Sequence, residues 1–297
     1  MIGNFRLILV MFLWAICFPL ITLGIEYSPH LTFAAMRAFL SGGALLALAL
    51  VFGRPLPGSI KDWLAIAAIG LGATTLAFFG MFHAAEFVSP GLATVIAGTQ
   101  PLMAALMAHW FLGERLSVRG RMGLVLGFLG IILISIPQLL TGGGGAFEIG
   151  VTYIVISSVG ITASNVIIKR IANRVDPLMA MGGQLVIGSI PLAVIATVME
   201  DPTAVRWTVT FLGSLIGLSL AGTALAYWLW CRILKSVELS HANAFTFLVP
   251  VFGLGMGVAF YGEQLSAVSM AGIALTLLGI YQVAKGMRSK VEKNPVT

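Results

Sequence analysis

The chain has 297 residues, 59% of them hydrophobic and 9% charged, with a formal net charge of +6. A water-soluble domain carries about 25% charged residues, so this composition excludes an ordinary soluble fold and makes lipid the solvent to consider. The positive balance is not a nucleic-acid footprint, because the cations are placed between apolar runs, and Cys17 and Cys231 lie inside such runs, giving neither a disulfide framework nor a metal spacing.

Ten apolar segments follow in order, at about 4–24, 31–52, 63–82, 89–112, 120–139, 149–169, 177–199, 208–231, 239–261 and 267–286. Each approaches the roughly 20 residues that cross about 30 Å of hydrocarbon as a helix. In lipid a lone run has to satisfy its own peptide groups, which only a helix does. The first segment has no small-x-small cleavage site after Gly24 and is read as a membrane helix, not a leader. It carries Trp14. Segment 2 carries Arg37 about seven residues in, read either as a snorkelling anchor or as a contact for a carboxylate. Segment 3 ends in Phe78, Phe79, Phe82 and His83, read as an interfacial aromatic belt or as a gate. His83 with Glu86 makes a titratable pair close to the membrane.

Segment 4 contains Thr99-Gln100-Pro101. Proline removes one backbone bond and frees the carbonyl four residues earlier, here that of Ala97. Segment 5 carries Gly123, Gly127 and Gly130, small residues that allow close helix approach. A glycine-rich link, Gly142 to Gly145, follows. Segment 6 holds Asn165 and segment 7 holds Gln184. Segment 8 ends in Tyr227, Trp228 and Trp230, read likewise as an interfacial aromatic belt or as a gate. Segment 9 contains Asn243, Thr246 and Pro250, and segment 10 contains Gly272 and Gly279. Deep polar side chains face a bundle interior, either to bond neighbouring helices or to line a cavity.

Segments 4 and 9 are related. At a gap-free spacing of 149 residues, Ala93 matches Ala242, Pro101 matches Pro250, Phe111 matches Phe260, Gly113-Glu114 matches Gly262-Glu263 and Leu116-Ser117 matches Leu265-Ser266. The register continues through Gly123 with Gly272 and Gly130 with Gly279. The chain therefore reads as two copies of one unit, 1–140 and 149–286, joined by a linker at 141–148 and followed by a basic tail at 287–297. Fifteen Lys and Arg residues fall on one side of the ten-segment topology and Arg206 alone on the other, Arg37 lying within a segment. This places both termini in the cytoplasm. Five helices per copy is an odd number, so the copies enter the bilayer from opposite sides. The fold class expected is an all-α integral membrane protein of ten transmembrane helices in two inverted five-helix repeats, with a substrate site near the midplane.

These features resemble the EamA-type members of the drug/metabolite transporter superfamily. The resemblance rests on the five-plus-five plan, Gly-Glu-x-Leu-Ser closing the fourth helix of each copy, Trp14-Ala15 in the first helix and Arg37 after Pro29. It covers about Phe5 to Lys285, and bacterial aromatic-amino-acid exporters are the most similar branch. One departure is near the start of segment 6, where many members carry a second aromatic residue or a Gly; here the stretch reads Ser157-Ser158-Val159-Gly160, with no Trp. The resemblance implies an inner-membrane secondary transporter that exports amino acids or other metabolites, drugs included, by rocking around a central cavity. Trp14, Arg37, Phe78, Phe79, His83, Thr99, Gln100, Pro101, Asn165, Gln184, Tyr227, Trp230, Asn243, Thr246 and Pro250 are the candidate lining. Segments 5 and 10 are then packing elements, with a homodimer among the assemblies that their small-residue faces permit. The partners expected are a small-molecule substrate and the lipid bilayer; no nucleic acid, cofactor or metal is expected. An enzyme would need a catalytic set at membrane depth. The sequence has no HExxH, no G-x-S-x-G and no metal-ligand spacing among His30, His83, His109 and His241. All eleven acidic residues fall in loops, at segment ends or in the tail, so transport driven through a mid-membrane carboxylate is not expected.

Overall fold

A computed structural model describes residues 2–84, 87, 93, 96–141, 147–261 and 265–293, with the side chains of 2–3, 137–141, 147, 260–261 and 287–293 left out. Glu86, Glu263 and the glycine link 142–146 lie outside the described residues. The helices are α1 (Ile2–Ile25), α2 (His30–Val51), α3 (Ile60–Ala84), α4 (Gln100–Leu112), α5 (Val118–Thr141), α6 (Phe147–Ile171), α7 (Pro177–Met199), α8 (Val209–Leu234), α9 (Leu239–Tyr261) and α10 (Ala267–Lys293). Among the described residues no strand occurs, and nine of these runs are long and apolar enough to cross a membrane. Among the described residues the expected segment 4 is continuously helical only over the 13 residues of α4, so it is not among the nine. Helix α10 runs on to Lys293, into the stretch expected as a tail.

Local chemistry sets the helix ends. Ser59 accepts the Asp62 amide at the start of α3, and Asp176 accepts the Leu178 amide at the start of α7, where Pro177 fits the first helical position. The Gly-Glu-x-Leu-Ser motif is legible atom by atom. Gly113 ends α4 at φ +69°, in the left-handed region that glycine enters without cost. Ser117 then accepts the Gly120 amide and starts α5. Its counterpart 149 residues on, Ser266, accepts the Ser269 amide and starts α10.

Two helices depart from α geometry at matched places. Residues Gly70–Leu76 of α3 and Leu218–Leu225 of α8 form wide π-helical turns, and Leu76 and Leu225 are 149 apart. Helix α9 is interrupted by a 3-10 turn at Phe245–Phe247, and a turn at Gly98–Thr99 directly precedes α4. Both interruptions lie just N-terminal to the matched prolines, where the missing amide leaves carbonyls unpaired.

Glycine lets the helices come together at backbone distance. A Cβ on Gly123 would sit 2.5 Å from the Gly279 carbonyl oxygen, and one on Gly272 would sit 2.8 Å from that of Gly130. The small-residue faces of α5 and α10 are thus turned on each other within the chain, not outward toward a second copy. Gly42 of α2 meets α7 the same way, 2.8 Å from the Gly182 oxygen. Gly253 and Gly255 of α9, by contrast, have nothing within 4 Å of a built Cβ. Gly123→Ala should therefore cost about 1–3 kcal/mol through forced separation of α5 and α10, while Gly253→Ala should be neutral or stabilising by up to about 1 kcal/mol. Thermal unfolding of the purified variants in detergent checks the pair, with a lowered midpoint expected for the first alone.

Candidate functional site

The middle of the molecule is where α2, α3, α7 and α8 cross, and the two wide turns sit there. A π turn widens the helix and leaves carbonyls that the α ladder would occupy. Side chains take up carbonyls of the second turn: the Thr223 hydroxyl donates to that of Leu218 at 3.0 Å and the Ser41 hydroxyl to that of Ser219 at 2.9 Å. From the first turn, the Thr75 hydroxyl donates across to the Gly188 carbonyl of α7 at 2.7 Å. The turns also place two threonines, Thr74 and Thr223, at matched positions. Thr74 donates its hydroxyl to Gln184 Oε1 at 2.8 Å. Thr223 accepts from Arg37 Nε at 2.8 Å and donates to the Leu218 carbonyl at 3.0 Å. Arg37 and Gln184 hold nearly equivalent places in α2 and α7, and each meets a threonine of the other half. The two threonines escaped the sequence reading, although their spacing of 149 residues was there to be seen.

Arg37 is 6% exposed. Its guanidinium lies over the Phe78 ring, 4.5 Å from the centroid, and among the described residues no carboxylate pairs with it. A charge in the middle of an apolar span costs about 2.5–3.5 kcal/mol or more. The cation–π contact returns about 0.5–2 kcal/mol, and the Thr223 bond engages only one of five N–H donors. The remaining donors make Arg37 an anion-seeking group.

An aromatic wall stands nearby. Trp14 packs against Trp230 at 5.3 Å between ring centroids and edge-on to Tyr227 at 6.3 Å. Trp230, 2% exposed, donates its indole N–H to Asn165 Oδ1 at 2.9 Å, and the Tyr227 hydroxyl reaches the Ala73 carbonyl at 3.4 Å. Burial of Phe78 and Trp230 overturns the interfacial-belt alternative for these two residues.

His83 is buried in a second aromatic group. It stacks on Phe79 at 5.5 Å and on His30 at 5.8 Å, with Tyr153 edge-on at 5.0 Å. His30 Nδ1 lies 3.2 Å from Glu200. Sequence reasoning missed His30 and Tyr153, because α2 and α6 reach His83 only through the tertiary fold.

The residues around the proline breaks behave differently. Thr99 donates to the Ile96 carbonyl at 2.6 Å, Thr246 to that of Asn243 at 2.7 Å, and Asn243 Nδ2 to that of Leu239 at 3.1 Å. Each bond stays within its own stretch of three or four residues, so these side chains serve the interrupted backbone and do not join the central group. Gln100 and Pro250 are half-buried beside the breaks and Pro101 is buried. Of the candidate lining residues, Gln184 has its Nε2 and Asn243 its Oδ1 buried without a hydrogen-bond partner among the described residues.

Comparison with known proteins fits this arrangement. The profile of the EamA-like transporter family matches twice, over residues 1–136 and 148–284. A chloroplastic WAT1-related protein of Arabidopsis thaliana is 30% identical over 264 residues, covering 84% of this chain and 61% of that protein, so the chain spans about three fifths of that relative. The uncharacterized transporter YvbV of Bacillus subtilis is 29% identical, covering 95% of this chain and 90% of YvbV. A probable amino-acid metabolite efflux pump of Salmonella typhimurium is 25% identical, covering 96% of this chain and 95% of the pump. One solved crystal structure shares the fold, with a TM-score of 0.82 over 96% of this chain and 98% of its own at 18% identity. With two family matches that together take in most of its length, the chain belongs to the EamA-like transporter family.

Proposed function

We propose that this multi-pass membrane protein exports amino acids with apolar or aromatic side chains across the bacterial inner membrane by alternating access. In this reading ten helices form two five-helix halves, 1–140 and 149–286, inverted relative to each other, with both termini cytoplasmic. The doubled family match supports two halves, as do the wide turns and proline-linked breaks repeated at the 149-residue spacing. The excess of Lys and Arg on one side supports the orientation. The efflux pumps among the relatives support export of amino-acid metabolites.

The observation that carries the cargo assignment is Arg37, a buried cation with no acidic partner among the described residues, beside Phe78. A cargo carboxylate supplies the missing charge, and the Trp14–Tyr227–Trp230 wall suits an apolar side chain. Gln184 Nε2, buried without a hydrogen-bond partner among the described residues, is a further candidate contact. A multidrug exporter of the same fold is the second reading, and the cation at Arg37 weighs against positively charged drugs.

Efflux from proteoliposomes tests both. Arg37→Gln should slow efflux of labelled Trp and Phe by about tenfold or more, the loss of one charge-assisted contact of about 1.5–3 kcal/mol. It should leave tryptamine, which has the ring and amine but no carboxylate, no slower than before. Equal slowing of both compounds, or faster efflux of tryptamine than of Trp by the unaltered protein, overturns the carboxylate assignment. Trp230→Phe should leave Asn165 Oδ1 unpaired and lower stability by about 1–3 kcal/mol, read as a reduced unfolding midpoint in detergent. For topology, a tag in the link at 142–146 and one after residue 293 should be reached from opposite sides of the membrane.

A further inference from the structure

Two carboxylates join helices of different halves by the same chemistry. Glu200, directly after α7, accepts the amides of Leu31 and Thr32, each at 2.8 Å, and the Thr32 hydroxyl at 2.9 Å. These groups form the first turn of α2, where unpaired N–H groups and the helix dipole favour an anion. Glu114, just past the end of α4, accepts the Leu239 amide at 2.7 Å, the Ser240 amide at 2.9 Å and the Ser240 hydroxyl at 2.7 Å, in the first turn of α9.

The settings of the two clasps differ. Helices α2 and α7 are already locked along their length where Gly42 meets Gly182, so Glu200 closes a joint that backbone contact holds anyway. Among the described residues α9 has no glycine lock of backbone on backbone; its close glycine contact is made by a side chain, the Phe247 ring, 2.6 Å from a Cβ built on Gly127 of α5. Helix α9 is divided by the 3-10 turn at Phe245–Phe247, and beyond that turn Gly253 and Gly255 have open space around them. Around its first turn the end of α6 adds support. Lys169 donates to the carbonyls of Leu234 and Val237, each at 2.6 Å, and Arg170 donates to the Phe111 carbonyl at 2.8 Å.

We infer that Glu114 is the working latch of transport: its release from Leu239 and Ser240 frees the first segment of α9 to swing about the 245–247 turn and open the face at which α4 ends. Glu200 is a fixed joint. Glu114 acts through the position of α9 and is a positioning residue; the inference rests on the alternating-access reading above. It gives the glutamate of the Gly-Glu-x-Leu-Ser motif a mechanical role, between a glycine that ends one helix and a serine that starts the next.

Thiol labelling of the full-length protein in proteoliposomes tests this without any cargo. Ala242 lies fully buried behind the latch, and Ala242→Cys gives a reporter for a membrane-impermeant maleimide, read against the protein with only Cys17 and Cys231. Adding Glu114→Gln should raise the reporter's labelling rate by about fivefold or more, the effect of weakening the latch by about 1 kcal/mol. Ser240→Ala, which removes one donor and keeps the glutamate, should raise it by less. Glu200→Gln should lower the unfolding midpoint and leave the labelling rate unchanged. The latch is refuted if Glu114→Gln and Ser240→Ala both label at the unaltered rate, or if Glu200→Gln accelerates labelling as much as Glu114→Gln. Faster labelling in Glu114→Gln with no export of Trp by the unaltered protein upholds the latch and removes the aromatic amino-acid cargo. Export of Trp with unaltered labelling in both latch variants removes the latch alone.

Discussion

Every peptide group in the apolar part of this protein has to find its partner inside the chain, because hydrocarbon offers none. That constraint explains where its polar side chains are. Thr75 and Ser41 donate to carbonyls where the wide turns cross neighbouring helices, and Thr99 and Thr246 donate to carbonyls beside the prolines. Glu114 and Glu200 accept amides that a helix start leaves unpaired. Irregular backbone survives at membrane depth here because a nearby hydroxyl or carboxylate completes it. The outer donors of Arg37 remain unmatched among the described residues.

The two halves use the same positions with different chemistry. Where α2 places an arginine, α7 places a glutamine, and each meets a threonine from a wide turn of the other half. The framework is repeated while the charge is not. The central group therefore presents a cation on one side only. Phe78 and Tyr227, again 149 residues apart, show the same divergence: one ring lies under the guanidinium and the other packs against Trp14.

Much of this was legible in the sequence. Segment length gave the helices, because hydrocarbon thickness leaves little choice. The 149-residue spacing exposed the doubling, and proline chemistry marked the interruptions in α9 and before α4. Arg37 stood out as a charge with no business in lipid. The inward faces were harder to read. Helices apolar all round carry no stripe to say which side is buried, so Phe78 and Trp230 were equally compatible with an outer belt. The partner threonines were hidden because a lone Thr in an apolar run has no distinctive pattern. The glycines of α5 and α10 were correctly read as close-packing residues, but which helix they meet is a tertiary fact, and they meet each other. The latch was visible only as a motif, since its donors lie 125 and 126 residues away.

The wide turns also fix an angle. Each inserts an extra residue into one helical turn, and a residue corresponds to about 100° of rotation around the axis. Phe78 lies two residues beyond the turn in α3 and Tyr227 two beyond the turn in α8. Because a wide turn takes up one residue more than a regular one, losing a single amino acid inside it lets the helix close to α geometry with Phe78 or Tyr227 still facing its present neighbours, whereas the same loss between the turn and the ring swings the ring by about 100°.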